Sequence, residues 1–176
     1  MQMLEHKQNP MKAIRVEKIV LNIGCGSDKD PQIAKYLLEK ISGNKAVITY
    51  AKKRTTWGVG KGKPIGAKVT IRKNCGDLLK KLLDAVDMKL NKNSFDDTGN
   101  VAFGINEYVE IPGMQYDPKI GMIGFDTCVR LERLGYRVSR KKLRGKIGKN
   151  HRIKPDEAAE FIQRNFGIKV VEEEVE

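Results

Sequence analysis

Two short stretches of strict alternation constrain this chain more than any other feature. In one, Ile19, Leu21 and Ile23 alternate with Lys18, Val20 and Asn22. In the other, Ala67, Val69 and Ile71 alternate with Lys68, Thr70 and Arg72. Period two places each apolar set on one face of a strand, so each strand is buried on one side only. A sheet with one apolar face needs a cover, and the stretches between supply it. Asp30-Pro31 reads as an N-cap and first helical residue. Ile33, Ala34, Leu37, Leu38 and Ile41 then form a helical stripe that Gly43 ends.

The remaining elements follow from the same rules. A strand is expected from Lys45 to Ala51, and the second alternating strand spans Ala67 to Lys73. Leu78, Leu79, Leu82, Leu83, Val86 and Leu90 predict a helix over 77–90. A turn-rich loop, Asn93 to Asn100, precedes two long β segments, Asn100–Ile111 and Ile123–Arg133. Pro155-Asp156-Glu157 opens a helix with an acidic first turn, as the helix dipole favours. Ala158, Ile162 and Phe166 line it and Gly167 closes it, leaving room for a short strand in the tail. The expected fold is one α+β domain over 1–176, with a largely antiparallel sheet and helices on one face. The other face would carry Lys18, Asn22, Lys45, Thr49, Lys68, Thr70 and Arg72.

Charge then speaks to partners. The chain holds 34 Lys+Arg against 22 Asp+Glu, a net charge of +12 over 176 residues. That excess points to a polyanion, most commonly nucleic acid. The cations are also segregated. Nothing from Lys45 to Lys73 is acidic, and that stretch includes the loop Lys52 to Pro64 with Gly58, Gly60 and Gly62 at alternate positions. Such a loop has little conformational preference of its own, so ordering it calls for a partner. Trp57 fits either stacking on a base or covering local apolar surface. A second acid-free run, Arg137 to Lys154, ends just before the acidic C-terminal part. Segregation of this kind favours a binding role over a solvated surface. A protruding basic loop is expected at 137–154 as well as at 52–64.

Several motifs fail on inspection. Gly58, Gly62 and Lys63 are too close for a nucleotide-binding P-loop, and Pro64 replaces the magnesium-binding hydroxyl. Gly24-Cys25-Gly26 lacks the third glycine of a dinucleotide fingerprint, so a tight turn is the better reading. Gly145-Lys146-Ile147-Gly148 matches the GxxG of KH domains but follows a strand, so it reads as a flexible basic loop. Cys25, Cys75 and Cys128 form no CxxC pair, and His6 and His151 complete no zinc site. Asp96-Asp97 beside Thr98-Gly99-Asn100 reads as a turn. No catalytic constellation, metal or cofactor is expected. No apolar run is long enough to span a bilayer, the N-terminus lacks a signal peptide's apolar stretch, and a cytoplasmic protein with reduced thiols is expected.

With these residues in place, the chain resembles the large-subunit ribosomal protein five family, the universal family that binds 5S ribosomal RNA. The resemblance rests on Asn9-Pro10-Met11, Val20-Leu21-Asn22-Ile23-Gly24, and Ala51-Lys52-Lys53 leading to Pro64 through Arg72. It continues through Phe95, Thr98-Gly99-Asn100, Phe103-Gly104-Ile105, Tyr116-Asp117-Pro118 and Ile120-Gly121. Arg137-Val138-Ser139-Arg140-Lys141-Lys142 through His151 resembles archaeal and eukaryotic members, and the short N-terminus resembles archaeal ones.

The resemblance implies a non-enzymatic, monomeric place in the central protuberance of the large subunit. It implies contacts to 5S rRNA and 23S rRNA, and a bridge to a small-subunit head protein. The loop equivalent to Lys52–Pro64 reaches P-site tRNA in the family. That role falls here on Arg54, Thr55, Thr56, Trp57, Lys61 and Lys63 as a group, although Trp57 and Gly58-Val59-Gly60 depart from the bacterial loop. For rRNA, the candidates are Asn9, Pro10, Met11, Asn22, Lys45, Thr49, Lys68, Thr70 and Arg72. From the basic stretch, Arg140, Lys141, Lys142 and Arg144 join them.

Overall fold

The computed structural model describes residues 9–26, 29–54, 59–143 and 145–171. Five strands form one sheet: β1 (Ile14–Gly24), β2 (Val47–Tyr50), β3 (Pro64–Ile71), β5 (Val101–Ile105) and β6 (Phe125–Arg133). Their order is β2-β3-β1-β6-β5, and every neighbouring pair is antiparallel. The first strand is therefore the central one. Two short strands, β4 (Lys89–Asn91) and β7 (Lys169–Val171), pair in parallel in a separate sheet.

Three helices complete the α+β fold: α1 (Pro31–Ser42), α2 (Cys75–Asp84) and α3 (Pro155–Phe166). α1 begins where Asp30 accepts the amide of Gln32 at 2.9 Å, and ends at Gly43 in the left-handed region. α1 lies against β3 and β2, and α2 against β1. The alternation survives in burial. Ile19, Leu21, Ile23, Ala67, Val69 and Ile71 are all buried, and they share a core with Leu37 and Leu38 of α1 and Leu79, Leu82 and Leu83 of α2. Each large side chain among them contributes roughly 1.5–3 kcal/mol by burial, against about 0–1 kcal/mol for an exposed ion pair. The core therefore sets the fold, and exposed charges add little to it.

Two elements are shorter than their periodicity predicts. The α2 stripe stops at Asp84 because Asp87 and Met88 adopt positive φ angles of 52° and 56°. Leu90 is buried as a residue of β4 instead, opposite Val170 of β7. The expected strand over 100–111 ends at Ile105. Beyond it Tyr108 turns fully into the core, and its hydroxyl accepts the Asp117 amide at 2.8 Å.

Candidate nucleic-acid interface

The register of the sheet assembles the polar face. Lys68 stands opposite Asn22 on one side and Val47 on the other, and Asn22 stands opposite Asp126. One step along, Thr70 faces Val20, which faces Cys128, which faces Ala102. Lys18 faces Arg130. Thr49 pairs with Gly66, so it shares the side of Lys68. Lys45, Lys68 and Arg72 are exposed, whereas Asn22, Thr49 and Thr70 are half-buried and so held in direction. A Cβ on Gly66 would lie 2.2 Å from the Ile23 carbonyl oxygen and 3.3 Å from Thr49 Oγ1. Only glycine lets β1 and β3 approach this closely here.

The face is more mixed than the acid-free run 45–73 suggests. β6 brings Asp126 beside Asn22, a neighbour that alternation within one strand cannot reveal.

The loop after β2 has a closed base. Ala51 donates its amide to the Lys63 carbonyl at 2.9 Å, and Gly62, at φ 81°, donates to Ala51 at 2.9 Å. Arg54, Lys61 and Lys63 are exposed around that base. Thr55, Thr56 and Trp57 lie outside the described residues, as does Arg144.

The rRNA candidates divide into two groups. Asn22, Lys68 and Thr70 lie towards one end of β1, with Thr49, Lys45 and Arg72 around them. Asn9, Pro10 and Met11 precede the other end, in a short turn where Asn9 Oδ1 accepts the Met11 amide at 3.0 Å. At about 3.3 Å per strand residue, Ile14 and Asn22 are roughly 25 Å apart. Met11 instead neighbours the basic stretch. A Cβ at Gly135 would lie 3.6 Å from both Met11 Cε and His151 Nε2.

That stretch is tied down at several points. Tyr136 is buried, and its hydroxyl donates to the His151 carbonyl at 3.0 Å and accepts the Ile153 amide at 2.9 Å. His151 Nε2 lies 2.8 Å from the Leu134 carbonyl. Gly145, expected in a flexible loop, donates its amide to Val138 at 3.3 Å. Arg133, itself buried, pairs with Glu157 of α3 at 3.0 Å.

A charge cluster completes the anchoring. The ladder between β1 and β6 shifts register between Val16 and Lys18, which makes Glu17 an extra residue. The Glu17 and Glu132 side chains are only 8% and 4% exposed. Arg15 pairs with Glu132 at 2.5 Å. Arg130 Nε lies 2.8 Å from Glu17 Oε2, without hydrogen-bond alignment. Arg140 pairs with Glu17 and, at 2.7 Å, with Glu132. Arg140 is thus held at a carboxylate pair, while Lys141 and Lys142 beside it are exposed. The sequence does carry a signal for this cluster in Arg15-Val16-Glu17 and Arg130-Leu131-Glu132. These are complementary charges at period two, and their meaning emerges once β1 and β6 are paired.

Among the described residues, no group of three or more His, Cys, Asp or Glu is placed to hold a metal ion. No helix there is long and apolar enough to cross a membrane. Cys25, Cys75 and Cys128 are free thiols.

The chain is similar to known proteins along most of its length. Residues 9–57 match the family described as ribosomal protein L5, and residues 64–169 match the model of that ribosomal family's C-terminus. The two matches contribute strands to the same sheet. The large ribosomal subunit protein uL5 of Nanoarchaeum equitans is 44% identical over 93% of this chain and 99% of its own length. The protein of the same name from Sulfurisphaera tokodaii is 45% identical over 93% of this chain and 96% of its own. That of Nitrosopumilus maritimus is 43% identical over 96% and 99% respectively. This chain belongs to the ribosomal protein L5 family, in its archaeal form.

Proposed function

We propose that this chain, a structural component of the large ribosomal subunit, binds 5S rRNA with its polar sheet face and helps attach it to 23S rRNA in the central protuberance. The observation that carries this reading is the row in which Lys68 stands opposite Asn22, with Thr70 and Thr49 beside it. It presents a cation, an amide and hydroxyls at fixed strand spacing. Folded RNA offers phosphates and 2′-hydroxyls at a wide, shallow groove, and recognition there is mostly by shape and backbone. Side chains held in register suit that task better than mobile ones.

The loop with its base at Ala51 and Lys63 extends to P-site tRNA, carried by Arg54, Thr55, Thr56, Trp57, Lys61 and Lys63. Asn9–Met11 and Arg140, Lys141, Lys142 and Arg144 form a second rRNA contact at the other end of β1. Another edge meets a small-subunit head protein. The chain acts as one domain and as a monomer within the cytoplasmic ribosome.

Filter binding of 5S rRNA across a salt series tests the central claim. Selective retention of 5S rRNA over an unrelated structured RNA is expected. Equal affinity for the two would overturn the assignment. Deleting residues 55–62 should leave 5S binding largely intact and impair tRNA handling in assembled ribosomes.

A further inference from the structure

The basic segment folds around a concavity that none of the roles above uses. Its volume is about 510 Å3, within the range of roughly 300–1,000 Å3 that small-ligand sites occupy. Leu131 of β6, Tyr136 and Ile147 give its lining an apolar part. Arg130, Lys146 and Arg152 supply the cations. Among the described residues, no carboxylate lines the concavity. Glu17 and Asp96 touch lining residues, and both are engaged. Glu17 lies between Arg130 and Arg140. Asp96 accepts the Thr98 hydroxyl at 2.6 Å and the Asn100 amide at 3.3 Å.

The walls are fixed rather than incidental. Tyr136 is locked through its hydroxyl by His151 and Ile153. Gly145 closes one side through its bond to Val138, and a Cβ there would lie 2.5 Å from Val138 Cγ1. A lining that combines apolar groups with cations suits a ligand with a flat apolar body and a phosphate. Paired bases are stacked and cannot enter such a recess, but an unpaired one can. An acidic peptide would satisfy the cations and leave the apolar lining uncovered.

We propose that this concavity binds one unpaired nucleotide of RNA, with its base on Ile147 and Tyr136 and its phosphate between Lys146 and Arg152. The proposal deepens the RNA-binding reading and rests on it.

The test uses the full chain, isotope-labelled for NMR, titrated with pentauridylate and separately with a blunt RNA duplex. Pentauridylate should move the amides of Gly145, Ile147 and Arg152, and the duplex should not. Lys146→Gln with Arg152→Gln should weaken pentauridylate binding about tenfold or more, since charge-assisted hydrogen bonds are lost. Ile147→Ser should also weaken it, with an unchanged salt slope, because no cation is removed. The dispersion of each variant's spectrum verifies its fold. Shifts confined to the sheet face, equal shifts with the duplex, or equally tight binding of a polyglutamate peptide at these amides would overturn the proposal. Parallel filter binding of 5S rRNA separates the two readings. Selective 5S binding with unmoved concavity amides sinks the nucleotide site alone, and loss of 5S selectivity sinks the broader reading with it.

Discussion

Arg140 pairs with Glu17, a residue 123 positions away in sequence and the extra residue of the β1 bulge. The contact fastens a mainly cationic segment to the central strand by a carboxylate that the bulge adds to the ladder. A bulge re-aims a side chain by adding one residue to its strand and offsetting the pairing beyond it. Here it gives the basic stretch a fixed starting point next to Lys141 and Lys142.

Removing a negative charge from this latch should weaken RNA binding rather than strengthen it. Glu17→Gln makes the protein more cationic, so simple attraction to RNA would rise. If the latch orders the basic segment, affinity for 5S rRNA should instead fall severalfold. Tighter binding by the variant would assign the cluster to stability alone. Glu132→Gln should cost about 1–3 kcal/mol in urea unfolding. That is below the roughly 3–5 kcal/mol of a fully buried pair, because Arg15 and Arg140 remain partly exposed.

Tyr136→Phe tests the second fastening. It strips the acceptor from the Ile153 amide, at a residue that is completely buried. An unpaired buried group costs about 1–3 kcal/mol. Urea unfolding should show that loss, and hydrogen exchange at the Ile153 amide should accelerate.

Salt dependence should sort the sheet-face residues by role. Lys68→Ala and Arg72→Ala should each flatten the salt slope of 5S binding by about 0.7–0.9. Asn22→Ala should lower affinity and leave the slope unchanged, because it contributes hydrogen bonds and no charge. An unchanged slope for Lys68→Ala would remove that residue from the phosphate contacts.

Gly66→Ala should destabilise the protein by roughly 2–4 kcal/mol, in the range of severe core overpacking. The added carbon would meet the Ile23 backbone, which cannot swing away as a side chain tip can. Thermal unfolding of the variant measures the effect, and a neutral result would mean that β1 and β3 can separate locally at no cost.

Cys128 offers a footprint of the same face. Partial desolvation and then the nearby Asp126 carboxylate push its thiol above the ordinary value. The reactive thiolate is therefore scarce at neutral pH and increases as pH rises past the raised value. Alkylation of this exposed cysteine should be slow at neutral pH and faster in mildly alkaline buffer. Bound 5S rRNA should suppress the alkaline reaction if the sheet face is covered. Equal rates with and without the RNA would place the RNA elsewhere. Cys25 and Cys75 are buried and serve as internal controls.

Much of the fold was legible because local rules decided it. Asp30 and Gly43 bound α1 as expected, and the alternating residues of β1 and β3 are buried as their period requires. What stayed hidden depends on distant pairings. Leu90 continues the spacing of the α2 stripe, but its partner is Val170, a strand neighbour at the far end of the chain. Tyr108 fits an alternating strand on paper, yet the Asp117 amide and the core take it instead. For the site, the Lys68 and Thr70 face could be read within single strands. The acids Asp126, Glu17 and Glu132 gained meaning only from the β1–β6 ladder, which no local pattern specifies. The concavity lined by Lys146 and Arg152 was equally hidden, since it depends on how the segment after β6 folds back on itself and on Thr98 and Asn100.

The central position of β1 also bears on how the protein is made. A chain growing from its N-terminus completes β1 early and supplies one neighbour, β3, after a moderate interval. Its other neighbour, β6, begins only at Phe125. Through most of synthesis, one edge of the future central strand has no native partner, and the carboxylate of the bulge has no arginine across the ladder. Native order is settled only when the second half arrives, so a nascent chain cut before β6 should remain dependent on chaperones or solubilising partners.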